Sequence, residues 1–421
     1  MFSLKNEEKK TKYCIIGIIA CFFIFSLIIV LNWGNSTLLG SLETFDNDDV
    51  KYIRSAWTLV DTGVLTYEDI TTPTAFIMPG LTYVLAGFTW AFGKMNGIVA
   101  FRVFQVILQC GSLYLLFLIS RKIFNSKAAI IACLIDSLYF VETYAASLVL
   151  MECLFKFLFL LLIYLSIYAL TEKKVKFYIS AGFVWALSCL FRPPIAIYPL
   201  VILIFWVRNK YKVKDIIKYT SIVLVIFCAV MSPWWIRNYK EFDTFIPFTK
   251  STGNPFLQGT FPNYDKSGGF GVPYEEGDNY IDNDAKQVKM GLERLKIYVP
   301  KEPLKYLWWY TGGKTIELWE SPFYWNGRTG LIISGVWHYM ILITGVLGIV
   351  KGFRRGNRNK MAGFILSIII VLNISYLPYF TFSRYAYPLM ALVIIFSANF
   401  FYGISKRWGR NNEKRIYNTD C

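Results

Sequence analysis

The sequence predicts an all-α, polytopic membrane protein, and three observations carry that expectation. Of the 421 residues 55% are hydrophobic and only 17% charged, a composition too apolar for a soluble globule. About ten apolar stretches recur, most of them close to the roughly 20 residues that cross a bilayer. The connections between them are strongly basic at every second turn, as expected of a chain whose Lys and Arg stay on one side of the membrane.

The apolar stretches run about 14 to 33, 99 to 120, 127 to 147, 149 to 170, 177 to 191, 194 to 208, 216 to 235, 331 to 350, 361 to 380 and 385 to 404. The first follows a basic start (Lys5, Lys9, Lys10, Lys12) but is longer than a signal-peptide core and lacks a good cleavage site, so it reads as a retained anchor. A further stretch, 76 to 92, is short and interrupted by Pro79, Gly80 and Gly87. Whether it crosses decides the orientation of all that follows. If it does not, both termini and the loops 121 to 127, 172 to 176, 208 to 218 and 351 to 360 share one side. That side then holds 25 of the 44 Lys and Arg but 6 of the 28 Asp and Glu, and the remainder is slightly acidic. The segment is therefore read as a helix lying on or dipping into the outer face, with both termini cytoplasmic and the plasma membrane as the expected location. A tight hairpin is the alternative.

On this topology the chain divides into residues 1–236, a transmembrane module with a first outer loop at 34–98, then an outer segment 237–330, then 331–421, the last spans and a basic cytoplasmic tail. The outer segment begins with a Gly, Pro and Asn-rich stretch in which Gly268-Gly269-Phe270-Gly271 reads as a turn, since no GK[ST] follows. Val288, Leu292, Leu295 and Val299 then fall at helical spacing, and Trp308, Trp309, Trp319 and Trp325 are candidate interfacial anchors.

The charge of +16 is explained by topology, so no nucleic-acid partner is expected. The eight cysteines lie in or beside apolar spans or at the tail, with no CxxC pair, which offers neither a disulfide framework nor a zinc site. His338 is the single histidine. It rules out a His-rich metal centre and reads as a packed, hydrogen-bonded side chain. No dense carboxylate cluster calls for a divalent metal, though one stays possible, and no cofactor is expected.

The informative chemistry lies at the outer ends of the spans. Asp48 and Asp49, followed by Tyr52, Ala56, Leu59 and Gly63, open a helix of about 48 to 60, whose N-terminus favours negative charge. An acidic first turn is the plain reading of the pair. Glu142 and Glu152 flank the next outward turn, where an ionisable group is costly without a partner or a job. A pairing with Lys156, one turn on, would explain Glu152 alone. Arg102, Arg192, Arg237 and Arg384 recur at the same depth. Each by itself fits snorkelling to the interface. Together they suggest an anionic headgroup site, because the planar guanidinium grips phosphate oxygens in pairs. Nucleotide-activated donors are cytoplasmic, so an outer-face transferase needs a donor carried through the bilayer. A sugar on an isoprenoid phosphate fits, with a carboxylate as general base and an arginine-neutralised phosphate as leaving group.

Three stretches together resemble the GT-C membrane glycosyltransferases, specifically the protein O-mannosyltransferase and lipid A aminoarabinose transferase superfamily (glycosyltransferase family 39 and its relatives). They are DDVKYIRSAWTLVDTG (48 to 63) with PGLTYVLAGFTWAFG (79 to 93) and Arg102; SPWWIRNYKEFDTFIPFTKSTGNPFLQG (232 to 259); and SRYAYPLMALV (383 to 393). The resemblance implies an inverting transfer of a hexose or pentose from a polyprenyl phosphate to an acceptor hydroxyl on a glycan, lipid or protein. It implies Asp48 as catalytic base, Asp49 orienting it or the acceptor, and Glu152, with Tyr52 and Glu142 as further candidates, near the donor sugar or acceptor. Arg237 becomes the first candidate for the lipid phosphate, followed by Arg102, Arg192 and Arg384. Where some relatives carry a Lys beside the prolines, this chain has Thr71-Thr72-Pro73-Thr74, which withdraws one phosphate contact. The rival readings are a lipid-linked sugar flippase, for which Asp136 and Lys156 would be the midplane charges, and an inactive scaffold.

Overall fold

The computed structural model describes residues 2–264, 279–323, 328–354 and 359–419. In chain order the helices are α1 (Lys9–Trp33), α2 (Asp48–Thr62), α3 (Gly80–Phe92), α4 (Lys94–Ile123), α5 (Ser126–Ser137), α6 (Val141–Ser147), α7 (Glu152–Glu172), α8 (Val175–Cys189), α9 (Pro199–Arg208), α10 (Val213–Phe242), α11 (Gly253–Gly259), α12 (Tyr280–Tyr298), α13 (Pro303–Trp308), α14 (Lys314–Trp319), α15 (Arg328–Arg354), α16 (Lys360–Tyr376) and α17 (Ser383–Thr419). No strand occurs among the described residues.

Every apolar stretch read from the sequence is helical. Among the described residues six helices (α1, α4, α7, α10, α15 and α17) are long and apolar enough to cross a bilayer alone, and α5 with α6, bent by 55° at their junction, make a seventh if the pair is one broken span. α3, α8, α16 and the Pro193–Arg208 stretch are shorter, and a count of ten spans rests on the last three. The last is divided by Pro193, Pro194 and Pro199 into a 3₁₀ turn and α9, as proline's missing N–H dictates.

α3 has 13 residues, about 20 Å of helix, less than the hydrocarbon core. It turns back at Gly93 (φ 80°) and packs along α2 and α4. Its consequence appears at the other end of the bundle. Arg121, at the end of α4, pairs with Glu7 at 2.9 Å, and the Tyr114 hydroxyl donates to the Phe2 carbonyl. Asn359 donates to Ile123 O, Lys122 lies over the Tyr168 ring, and Tyr219 donates to Lys173 O. The N-terminal segment and the loops near 123, 173, 211 and 359 thus gather at one end. Asp48, Glu152, Arg192 and Arg384 lie at the opposite one.

The described residues between 253 and 323 are folded onto that end. Trp309 is buried, its indole donating to Gly259 O at 2.9 Å, and a Cβ at Gly259 would collide with Lys314 Nζ and the Tyr379 main chain. The expectation that Trp309 anchors at the interface is therefore corrected. Trp308 is exposed and Trp319 donates to Asn373, whereas Trp325 and Gly268–Gly271 lie outside the described residues. His338 is packed between the Tyr139 hydroxyl and the Trp319 carbonyl, 2.8 Å from each.

Candidate active site

The site grows from the first turn of α2. Asn47 is the N-cap, its side chain accepting from Asp48 N, which frees both aspartates from capping. The helix ends at Gly63 in the left-handed region (φ 76°), and the chain returns over it.

The two acids face different ways. Asp49 is fully buried. Its carboxylate accepts from the backbone N–H of Leu39 (2.7 Å), Gly40 (3.3 Å) and Val50 (2.9 Å), so it ties the end of the α1–α2 loop to α2. Burial raises its pKa against those hydrogen bonds. Asp48 instead keeps a side chain 46% exposed. One oxygen accepts from the Tyr67 hydroxyl at 2.8 Å and the other from Arg384 Nη1 at 3.0 Å. Burial pushes its pKa up, but the Arg384 charge, the Tyr67 and Arg384 hydrogen bonds and Lys51 outweigh this, leaving it below the usual carboxylate value.

Tyr67 is a member of the site that sequence reading misses. It sits in a loop without periodicity, and only tertiary ties place it. Arg54 donates to the carbonyls of Tyr67 and Glu68, Ser55 donates to Thr66 O, and the Tyr67 ring lies between Tyr52 (5.1 Å) and Phe76 (5.9 Å). Tyr52 is buried. Burial and the nearby Asp48 charge raise its pKa, and it acts on the site through this ring stack.

Arg384 begins α17 and bridges two carboxylates. Besides Asp48, its Nε donates to Glu152 Oε1, at the start of α7. The same oxygen accepts from Arg192 Nη2 at 2.7 Å. Glu152 thus pairs with two arginines and not with Lys156. The loop leading into Arg384 is held from outside: Lys314 Nζ donates to Leu377 O (2.7 Å) and Tyr379 O (2.8 Å), and Phe380 N donates to Pro255 O. Arg192 follows α8, with its guanidinium near the rings of Phe155 and Tyr385. Glu152 Oε2 is buried without a hydrogen-bond partner among the described residues, a costly state that a polar ligand would relieve.

Three sequence candidates have other settings. Arg102 is buried, with Nε on Ser147 O and Nη1 on Asn35 Oδ1, both at 2.7 Å. It clasps the ends of α1 and α6 through those two donors, while Nη2 is buried without a hydrogen-bond partner among the described residues. Arg237, the first choice for the phosphate, donates to Thr74 O (2.6 Å) and Asn238 Oδ1 (3.0 Å) and lies near the rings of Trp234 and Phe242. It supports the loop that carries Tyr67. Glu142 is enclosed by Lys156, Gln109 and Tyr387, one turn deeper than Glu152, and is not open to a sugar.

A cavity of about 190 Å³ lies between α7, α8, α9 and α10, walled mainly by apolar side chains that include Leu162, Trp185, Leu203, Trp206 and Val223. Among the described residues no three His, Cys, Asp or Glu form a metal-holding group.

The helical architecture is that of the GT-C membrane glycosyltransferases. The oligosaccharyltransferase of Archaeoglobus fulgidus, in its apo crystal structure, superposes with a TM-score of 0.56 at 14% identity, covering 94% of this chain and 52% of that one. The oligosaccharyltransferase AglB from Archaeoglobus fulgidus in complex with an inhibitory peptide and a dolichol-phosphate gives 0.55 at 14% identity, covering 97% and 52%. This chain thus spans about half the length of that enzyme. ArnT from Cupriavidus metallidurans bound to undecaprenyl phosphate aligns more loosely, with a TM-score of 0.43 at 12% identity over 91% of this chain and 77% of that one. Within the fold, residues 73–236 match the family model for dolichyl-phosphate-mannose-protein mannosyltransferase. The GT-C resemblance read from the sequence is therefore borne out, and the protein is a multi-pass membrane protein. No curated protein matches the chain.

Proposed function

We propose that the protein is an inverting glycosyltransferase that moves a sugar from a polyprenyl phosphate to an acceptor hydroxyl on the extracytoplasmic face of the plasma membrane. Asp48 takes the proton from the acceptor hydroxyl as its oxygen attacks the anomeric carbon. The bond from that carbon to the phosphate oxygen breaks, and polyprenyl phosphate departs with the electron pair. Arg192 and Arg384 neutralise the developing charge, and Glu152 holds the two guanidinium groups side by side. Tyr67 orients the free Asp48 carboxylate, and Asp49 positions it through the backbone.

One observation carries this reading: a half-open carboxylate lies 3.0 Å from an arginine that shares a buried glutamate with a second arginine. The dolichol-phosphate bound by AglB and the dolichyl-phosphate-mannose named for the matching family support a lipid-phosphate donor. The cavity between α7 and α10 would take part of the isoprenoid. Gathering of the basic loops at the far end supports an outward-facing site.

The test is transfer itself. The protein, reconstituted in nanodiscs, is given undecaprenyl and dolichyl phosphates bearing radiolabelled hexoses or pentoses, with cell-envelope extract as acceptor. Label should move from the lipid to the glycan or protein fraction while free polyprenyl phosphate appears. Label that stays on the lipid with every donor overturns the proposal.

A further inference from the structure

Beneath the Asp48 cluster lies a second polar layer with no access to solvent. Lys156 is 0% exposed, and Asp136 and Glu142 are each 1%. Lys156 Nζ lies 3.1 Å from both Asp136 oxygens and 2.7 Å from Glu142 Oε1. Glu142 Oε2 accepts from the Tyr387 hydroxyl at 2.6 Å and from Gln109 Nε2 at 2.7 Å. Gln109 also contacts the Tyr387 hydroxyl, and Lys156 Nζ stands 5.6 Å from the Tyr387 ring.

The chain makes a structural effort to assemble this layer. Asp136 and Glu142 are six residues apart, so a straight helix would point them about 120° apart around its axis. The 55° bend between α5 and α6 lets both reach one ammonium. Burying two carboxylates with one lysine is costly, and apolar packing would stabilise the bundle at least as well. Such a cluster selects one arrangement of the helices that meet in it.

Those helices are the ones that carry the site. Glu152 and Lys156 lie one turn apart on α7, and Arg384 and Tyr387 lie one turn apart on α17, so their side chains share a face. The upper rung is Arg384 on Glu152. The lower rung joins Tyr387 to Lys156 through Glu142. Two rungs set the height and rotation of α17 on α7, whereas one would leave it free to slide or turn.

We propose that Lys156 and Tyr387 are positioning residues: through Glu142 they lock α17 against α7 so that Arg384 reaches Asp48 and Glu152 at once. The proposal rests on reading Asp48 as the base, and its test does not require turnover. The charged and titratable groups around Asp48 are Arg384, Lys51, Asp49, Tyr67 and Tyr52, with Glu152 and Arg192 one step further, behind Arg384. Among these the lower layer reaches Asp48 through Arg384. The full-length protein in nanodiscs is treated with dicyclohexylcarbodiimide, which modifies protonated carboxyls, across a pH series, and labelling of Asp48 is read by peptide mass spectrometry.

In Lys156→Met the midpoint for Asp48 should rise by about one pH unit, the effect of losing a close opposite charge, and approach that of an Arg384→Ala control. In Tyr387→Phe, which removes one hydroxyl and preserves packing, it should move the same way by a smaller amount. Where transfer is measured, kcat should fall about tenfold with the donor KM nearly unchanged. Should Lys156→Met fail to fold, Tyr387→Phe decides. A midpoint equal to wild type in the variants that fold overturns the proposal. A shifted midpoint in a protein that transfers no sugar would sink the functional reading and leave the positioning role standing.

Discussion

Replacing Asp48 by Asn separates chemistry from stability. Asp48 accepts one hydrogen bond from Tyr67 at 2.8 Å and one from Arg384 at 3.0 Å. The asparagine amide has a single oxygen, so it can keep one of these while its NH₂ faces the other donor. Arg384 keeps its bond to Glu152, and no group is left charged and alone. The lost ion pair involves a side chain 46% exposed, so solvent screening limits its worth to about 1 kcal/mol. Loss of a general base costs about 10² to 10⁴ in rate, or roughly 3 to 5 kcal/mol at 1.36 kcal/mol per tenfold. Transfer should therefore fall by two to four orders of magnitude, while expression, melting temperature and donor KM stay near wild type. The assay is the initial rate of label transfer, alongside thermal unfolding followed by size-exclusion chromatography. Activity within tenfold of wild type, or a loss matched by loss of folded protein, would refute Asp48 as base.

Further predictions concern the neighbouring groups. Arg384 and Tyr67 hold the Asp48 carboxyl below its ordinary value despite burial. The base form then persists above that lowered pKa and is lost only as pH falls through it. kcat/KM should be level from about pH 5 to 7.5, and an acid limb near 6 in wild type would contradict the assignment. Arg192→Ala should weaken binding of undecaprenyl phosphate about tenfold, as expected for one charge-assisted contact. Arg102→Ala, whose parent side chain clasps Ser147 and Asn35, should lower the yield of folded protein without changing that affinity, with both read by native mass spectrometry. Asp49→Ala strands the amides of Leu39 and Gly40 and should cost about 1 to 3 kcal/mol of stability, read as a lower melting temperature.

Much of the architecture was legible because partition into lipid depends on composition along the chain. The apolar stretches become α1, α4, α7, α10 and the later helices because a backbone in hydrocarbon must satisfy its own N–H and C=O groups. The oddity of 76 to 92 was legible from Pro79, Gly80 and Gly87, and α3 is a helix of 13 residues that begins at Gly80 and stops before Gly93. The start of α2 at Asp48 and its stop at Gly63 follow from local capping chemistry, which needs no tertiary contact.

The wiring of the site was not legible, because side-chain partners depend on which helices meet. Two adjacent aspartates look equivalent in sequence, yet the pitch of α2 turns Asp49 onto the amides of Leu39 and Gly40 and leaves Asp48 open. Four arginines at similar depth look interchangeable, yet Arg102 and Arg237 donate to carbonyls and amides while Arg192 and Arg384, nearly 200 residues apart, converge on Glu152. Helical spacing offers Lys156 as one partner for Glu152, but the break between α5 and α6 brings Asp136 and Glu142 to it instead. By itself the sequence determined which stretches become long apolar helices, since hydropathy acts residue by residue. Only the packing of α2, α7 and α17 decided which carboxylate is free and which guanidinium groups face it, because low-dielectric pairing is settled by distances between residues far apart in the chain.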